Sequence, residues 1–263
     1  MDRCHLGDHR SGPLPSDGLS DTGPETLRRI SRMCAFNAWV MDLVRPHLHG
    51  RVFEIGCGQG NITELLLGEA VSALVALDVS PDHVEHVRRR WQHLPHFQGV
   101  CADVLDAADT VICLNVLEHI EEDVAALAAM RQLLAEGGRL VLLVPALRGL
   151  YGSLDVGLGH HRRYTGEELR AKTTEAGLRL LECRYFGLAG VLGWFVNSRV
   201  LRRPILPARQ LLLYDRLVPL LRVIERLTGS PVGQSLFCVA ESAQPDDSAL
   251  LRSVGLSTDG RAR

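Results

Sequence analysis

The sequence predicts an α/β fold of the doubly wound kind: a mostly parallel seven-stranded sheet with an N-terminal helix and a helical cap inserted before the last strand. Three observations carry this expectation. Short, nearly continuous apolar runs (VFEIG, ALVALDV, RLVLLVPA) alternate with segments of helical periodicity, which is how parallel strands buried on both faces read. The first run ends in a glycine-rich turn, Gly56-Cys57-Gly58-Gln59-Gly60, that opens a helix. An acidic residue, Asp78, closes the next run about twenty residues further on.

Taken in order, residues 1–24 read as a disordered leader broken by Gly12-Pro13, Pro15, Gly18 and Gly23-Pro24. One domain, 25–242, follows, and a polar tail, 243–263, is expected to be mobile. Leu27, Ile30, Cys34, Val40, Leu43 and Val44 recur at helical spacing over 25–49. RVFEIG is the first strand, NITELLLGEA a helix, SALVALDVS the second strand, and Pro81 opens the next helix from its first position. FQGVCADV contains a third strand and DTVICLNVLEH a fourth. EEDVAALAAMRQLLAEGG reads as a helix stopped by Gly137-Gly138. RLVLLVPA is the fifth strand, GEELRAKTTEAG a helix, LRLLECRYFG the sixth strand and SLFCVAES the last, with the cap at 188–234.

Composition narrows the function. Hydrophobic residues are 46% and charged residues 23% of the 263, ordinary values for a globular chain. The net charge of −2 carries no basic surplus, which argues against nucleic acid as a partner. Seven cysteines, with no C-x-x-C pair and several in apolar runs, read as buried free thiols in a reducing, cytoplasmic setting. The polar N-terminus lacks the apolar core of a secretory signal, and no run approaches the ~18 apolar residues of a membrane span.

A glycine turn of this kind lets a ligand approach backbone N–H groups, and Asp78 is placed to accept the two hydroxyls of a ribose. Both features suit a dinucleotide or S-adenosylmethionine. Glu54, on the strand before the turn, would repel a pyrophosphate but suit a cation, and the third glycine is displaced from the G-x-G-x-x-G spacing. The sulfonium cofactor is therefore favoured, with S-adenosylhomocysteine as its product.

EIGCGQG, ALDVS, CADVLD, LNVLEHIEED and LLAEGGRLVLLVP stand in this order, and the set resembles the class I S-adenosylmethionine-dependent methyltransferases of Rossmann-like fold. It is similar above all to the small-molecule type that includes the ubiquinone-biosynthesis O-methyltransferases. The resemblance implies that Glu54, Gly56, Cys57 and Gly58 hold the methionine part of the cofactor, Asp78 the ribose with Val79 beside the adenine, and Asp103 the adenine amino group with Val104 alongside. It places Asn115 under the sulfonium and His119 one helical turn on, as a structural or cofactor-neighbouring residue. An aromatic residue of the N-terminal helix closes over the cofactor in related enzymes; Phe36, Asn37 or Trp39 stands there, and each equally suits a core.

The catalytic candidates lie after the fifth strand, where α/β proteins bind ligands. Moving a methyl group to a hydroxyl or amine requires a proton to leave, and a histidine is the natural base for it. Gly159-His160 resembles the glycine-histidine element of the ubiquinone-type enzymes, which makes His160 the first candidate, with His161 as the alternative and Tyr164 in the same segment. Arg162 and Arg163 could hold an acidic group on the acceptor, or all of these residues could simply order the loop. Glu118, Glu121, Glu122 and His119 could form a metal site, but successive acids opening a helix read more simply as favourable charge at its N-terminus, and no metal is expected.

The insert, most markedly 194–234, is apolar and dotted with arginines, opposed only by Asp215 and Glu225, with its helical spacing interrupted at Pro219. A structural cap, a lid over a greasy pocket, a dimer face and a basic helix on an anionic membrane all fit. The expected acceptor is a small, hydrophobic or amphiphilic natural product or metabolite, methylated on oxygen or nitrogen. A peripheral membrane enzyme acting on a lipid, quinone or polyprenyl intermediate is the alternative. A non-catalytic cofactor-binding module and a nicotinamide dehydrogenase are the rivals.

Overall fold

The computed structural model describes residues 22–98 and 107–243. Two helices come first, α1 (Thr22–Ser31) and α2 (Cys34–Val44). The helical pattern over 25–49 is thus divided at Arg32-Met33, and α1 begins inside the segment read as leader. Alternation follows: β1 (Arg51–Ile55), α3 (Asn61–Leu66), β2 (Ala73–Leu77), α4 (Pro81–Trp91), β3 (Ala108–Leu114), α5 (Asp123–Gln132), β4 (Leu134–Pro145), α6 (Ser153–Leu158), α7 (Gly166–Glu175) and β5 (Leu178–Phe186). The cap holds α8 (Leu188–Phe195), a π-helical turn (Val196–Val200) and α9 (Ala208–Thr228), and β6 (Ser235–Ser242) closes the sheet.

Among the described residues the sheet has six strands in the order β2-β1-β3-β4-β6-β5. β1 to β4 run parallel, and β6 is antiparallel to both β4 and β5. Of the expected third strand, Phe97 makes one parallel bridge to Leu74, and the remainder lies outside the described residues. The order reverses between β1 and β3, which leaves a crevice at their carboxyl ends, the usual ligand position in open α/β sheets.

Alternation along each strand divides the core into two layers. Val52, Ile112, Val141, Leu143 and Phe237 face one side, packed with α2 and α4, while Phe53, Val111, Leu140, Leu142 and Leu236 face the other, packed with α5 and α7. All ten are essentially inaccessible to solvent, and each such side chain contributes roughly 1.5–3 kcal/mol on burial. A third cluster joins the cap to the N-terminal helices through Met33, Leu150, Leu154, Trp194 and Leu211. Cys57, Cys113 and Cys238 are buried free thiols as expected, Cys34 is exposed, and the Sγ atoms of Cys183 and Cys238 lie 2.8 Å apart across β5 and β6.

Two boundaries differ from expectation. α5 ends at Gln132 rather than at Gly137-Gly138, because Leu134 is drawn into register with Ala108 and extends β4 backwards. α9 runs unbroken through Pro219, which sits on its exposed side. Among the described residues no helix is long and apolar enough to cross a membrane.

Candidate active site

The turn after β1 is held by its neighbour strand. Gly56 and Cys57 donate their N–H groups to the Leu77 carbonyl at 2.7 and 2.9 Å. Gly56, Gly58 and Gly60 have φ of +78°, +52° and +81°, the left-handed region that glycine enters without strain. A Cβ at Gly58 would meet nothing within 4 Å, so its backbone borders open space. Gly58 N–H donates to Asp78 Oδ2 and Ser80 N–H to Oδ1, each at 2.8 Å, which ties the glycine turn to the end of β2. Val79 is fully exposed beside this cleft, an apolar face with nothing against it.

Glu54 is buried below the turn and accepts one hydrogen bond, from the Thr63 hydroxyl at 2.6 Å. Burial pushes its carboxyl up to about 8 against the lowering effect of Thr63, and the Asp78 charge adds to the rise. Burial likewise pushes the Cys57 thiol up to about 12, so it carries no thiolate here. Two carboxyls beside a glycine turn with open space at Gly58 suit a cationic amino acid joined to a ribose, and would disfavour a pyrophosphate.

On the other side of the switch point, Asn115 ends β3 at φ +55°, a conformation unusual for a side-chain-bearing residue, and its N–H donates to the Leu143 carbonyl at 2.7 Å. It borders a cavity of about 130 Å³ whose walls include Phe36, His119, His160, Phe186 and Trp194. His160 is nearly buried, and its Nδ1 lies 3.0 Å from Asp155 Oδ1. Asp155 is itself fully buried and accepts from Arg163 Nε at 2.7 Å, Trp194 Nε1 at 3.1 Å and the Gly152 N–H at 3.0 Å. Burial pushes its carboxyl up, but the His160 and Trp194 hydrogen bonds and the Arg163 charge outweigh that and hold it below the ordinary carboxylate range. An ionised Asp155 fixes the Nδ1–H tautomer of His160 and leaves Nε2 with its lone pair.

Nε2 lies 3.9 Å from Glu118 Oε1, beyond hydrogen-bond reach. Glu118 is buried with neither carboxyl oxygen partnered, and burial raises it to about 8. His119 packs edge-on to His160, with ring centroids 4.8 Å apart, and burial pushes it down to about 4. Single ligand atoms of Glu118, His119 and His160 lie within 4.8 Å of one another, a grouping able to take a metal ion. From the sequence Glu118 reads first as helix-opening charge and second as a metal ligand beside His119. What could have signalled its place in the cavity is its adjacency to His119 at the end of an apolar strand.

Other candidates are not brought to the cavity. Tyr164 is fully buried in the layer behind the sheet, and its hydroxyl donates to Asp123 Oδ2 at 3.0 Å. His161 is exposed beside a separate surface depression with Arg148, Tyr151 and Lys172. Asn37 is buried and its Nδ2 donates to the Ser31 carbonyl at 3.1 Å, closing the α1–α2 junction, while Trp39 packs edge-on against Phe186. Arg162 pairs with Asp123 at 2.7 Å; Arg163 does line the cavity, pairs with Asp155 at 2.7 Å, and its Nη2 is buried without a partner among the described residues. Asp103 and Val104 lie outside the described residues.

The fold and this cleft define the class: an S-adenosylmethionine-dependent methyltransferase of the class I, Rossmann-like kind. Residues 24–183, more than half of the 263, match the family described as Methyltransferase domain, and the chain belongs to it. Among curated proteins it is 30% identical over 140 residues to a tRNA U34 carboxymethyltransferase of Saccharophagus degradans, covering 47% of this chain and 42% of that one. It is 29% identical over 121 residues to a ubiquinone biosynthesis O-methyltransferase of Xanthomonas oryzae pv. oryzae, covering 41% and 49%. The chain thus spans less than half the length of these relatives. Among solved structures, a putative methyltransferase of Bacillus halodurans C-125 superposes with a TM-score of 0.54 at 15% identity, over 79% of this chain and all of that one, a likeness of fold.

Proposed function

We propose that the chain moves a methyl group to an oxygen or nitrogen of a small, hydrophobic or amphiphilic metabolite, with His160 taking the proton that the acceptor loses. One observation carries the reading: a buried Asp155 fixes His160 so that Nε2 stands beside an apolar cavity next to Asn115. Bound S-adenosylmethionine supplies an electrophilic methyl on a sulfonium. Glu54 and Asp78 would hold its cationic and ribose ends, Gly56 and Gly58 would let it approach the backbone, and Val79 would offer an apolar surface to its adenine. Phe36, Phe186 and Trp194 exclude water from the acceptor, and the proton of the acceptor hydroxyl or amine passes to His160 Nε2. His161 and Tyr164 take no part. The arginines of the loop are matched by Asp123, Asp155 and Glu168, which leaves none of them for a phosphate backbone.

The test is label transfer from methyl-labelled S-adenosylmethionine into a cell extract, resolved by organic extraction and by ribonuclease treatment. Label in an organic-soluble small molecule is expected. Ribonuclease-sensitive label would overturn the acceptor class in favour of the chemistry named for the tRNA relative. With the acceptor in hand, His160→Ala should lower turnover by about 10²–10⁴ and leave cofactor affinity nearly unchanged. A collapse of cofactor binding instead would make His160 a structural residue.

A further inference from the structure

Helix α9 has two faces of opposite character. Its inward face carries both acids of the cap. Asp215 accepts from the Phe36 N–H at 2.8 Å, and Glu225 from the Gly187 and Leu188 N–H groups at 3.1 and 3.0 Å. The two carboxylates thereby cap the N-termini of α2 and α8 and are withdrawn from the surface. On the outward face Leu213, Leu217, Leu220, Ile224 and Leu227 form a four-three-four-three stripe, each 41–82% exposed. Arg209 and Arg216 lie on the same side, exposed, with no hydrogen bond or ion pair among the described residues. The surface is therefore apolar and purely cationic.

We propose that this face seats the protein on an anionic lipid surface. The leucine stripe enters the boundary between headgroups and acyl chains, and the guanidinium groups reach the lipid phosphates from long, flexible stems. Charge selects this occupant over a second copy of the chain: two such faces would bring four arginines together with no carboxylate between them. Phe195, at the end of α8, and Val196, opening the π-helical turn, are also exposed, while Trp194 lines the cavity. Docking does not depend on the catalytic role given to His160.

The experiment is co-sedimentation of the full chain with vesicles of phosphatidylcholine alone and of phosphatidylcholine mixed with phosphatidylglycerol. Binding to the mixed vesicles is expected, weakening with salt, with little on the neutral ones. Each arginine near an anionic surface changes partition roughly fivefold. Arg209→Glu/Arg216→Glu should therefore lose on the order of twentyfold or more. Leu220→Asp/Ile224→Asp should abolish binding, with thermal melting and cofactor affinity unchanged because both side chains are exposed. Equal binding to neutral vesicles, no binding to either, or a concentration-dependent dimer that Leu220→Asp/Ile224→Asp dissociates would each overturn the proposal.

Discussion

Glu54 is buried with one hydrogen bond and its carboxyl raised to about 8, so at pH 7 it holds a proton in the cofactor-free chain. A cationic ligand beside it favours the ionised form, so cofactor binding should expel close to one proton. Affinity should then rise by up to tenfold per pH unit towards pH 8 and level off above it. Calorimetry in buffers of different ionisation enthalpy reads the proton directly; Glu54→Gln should bind without releasing it, and an unchanged release would show another group responsible. Glu54 and Asp78 were legible in the sequence because strand and turn fix their positions. His160 was legible through its glycine, but Tyr164 was not separable from it. In an irregular loop neighbouring side chains leave in directions that no periodicity predicts, and here Tyr164 leaves backwards, to Asp123. Asp155 gathers the loop: Arg163, His160 and Trp194 all bond to its carboxylate, a convergence no spacing in the sequence shows.

At the scale of elements, the turn and the two helices after it are mutually dependent. Gly60 opens α3 at φ +81°, and a Cβ there would lie 2.5 Å from the Trp91 ring at the end of α4. Gly60→Ala should cost about 1–3 kcal/mol from backbone strain and overpacking together. It should also weaken cofactor binding, because the turn cannot shift without α3. Urea unfolding with a parallel cofactor titration measures both, and an alanine variant as stable as the parent would remove Trp91 as the constraint. The strands were legible because burial on both faces makes them continuously apolar. Helix ends were not. The run after Gln132 has good helical propensity, yet the ladder with β3 wins it for β4; and no breaker marks Arg32-Met33, where packing divides α1 from α2. Pro219 misled in the other direction: at an exposed position the carbonyl it leaves unpaired is free to meet water.

For the whole molecule, buried ionisable groups set the response to pH. Glu54 and Glu118 are raised from 4.5 to about 8 by burial, so between those values the folded chain binds more protons than the unfolded one and loses stability as pH rises. His119, lowered from 6.5 to about 4, and His47, also lowered by burial, act oppositely and only below pH 6.5. From pH 6.5 to about 8 the glutamates alone among these four change, at up to about 1.4 kcal/mol per pH unit each. The melting temperature of the cofactor-free chain should therefore fall across that window, and Glu54→Gln/Glu118→Gln should flatten the fall. A melting temperature that climbs from pH 6.5 to 8 would contradict the burial of these two carboxyls. None of this was legible in the sequence, since burial is a property of the packed chain.

The place where the cap joins the sheet has one more consequence. β5 and β6 pair with each other, and their register puts Phe186 directly opposite Ser235. Topologically the cap is the loop of a hairpin, entering and leaving through adjacent backbone positions. The entropy of closing such a loop grows only slowly with length, by about 0.6 kcal/mol per doubling. Evolution can therefore exchange this segment wholesale, for a longer or shorter one of other composition, without disturbing the strands that carry the cofactor cleft. The cap is thus a replaceable cassette beside the cofactor cleft, and chimaeras joined at Phe186 and Ser235 are the natural way to exchange it.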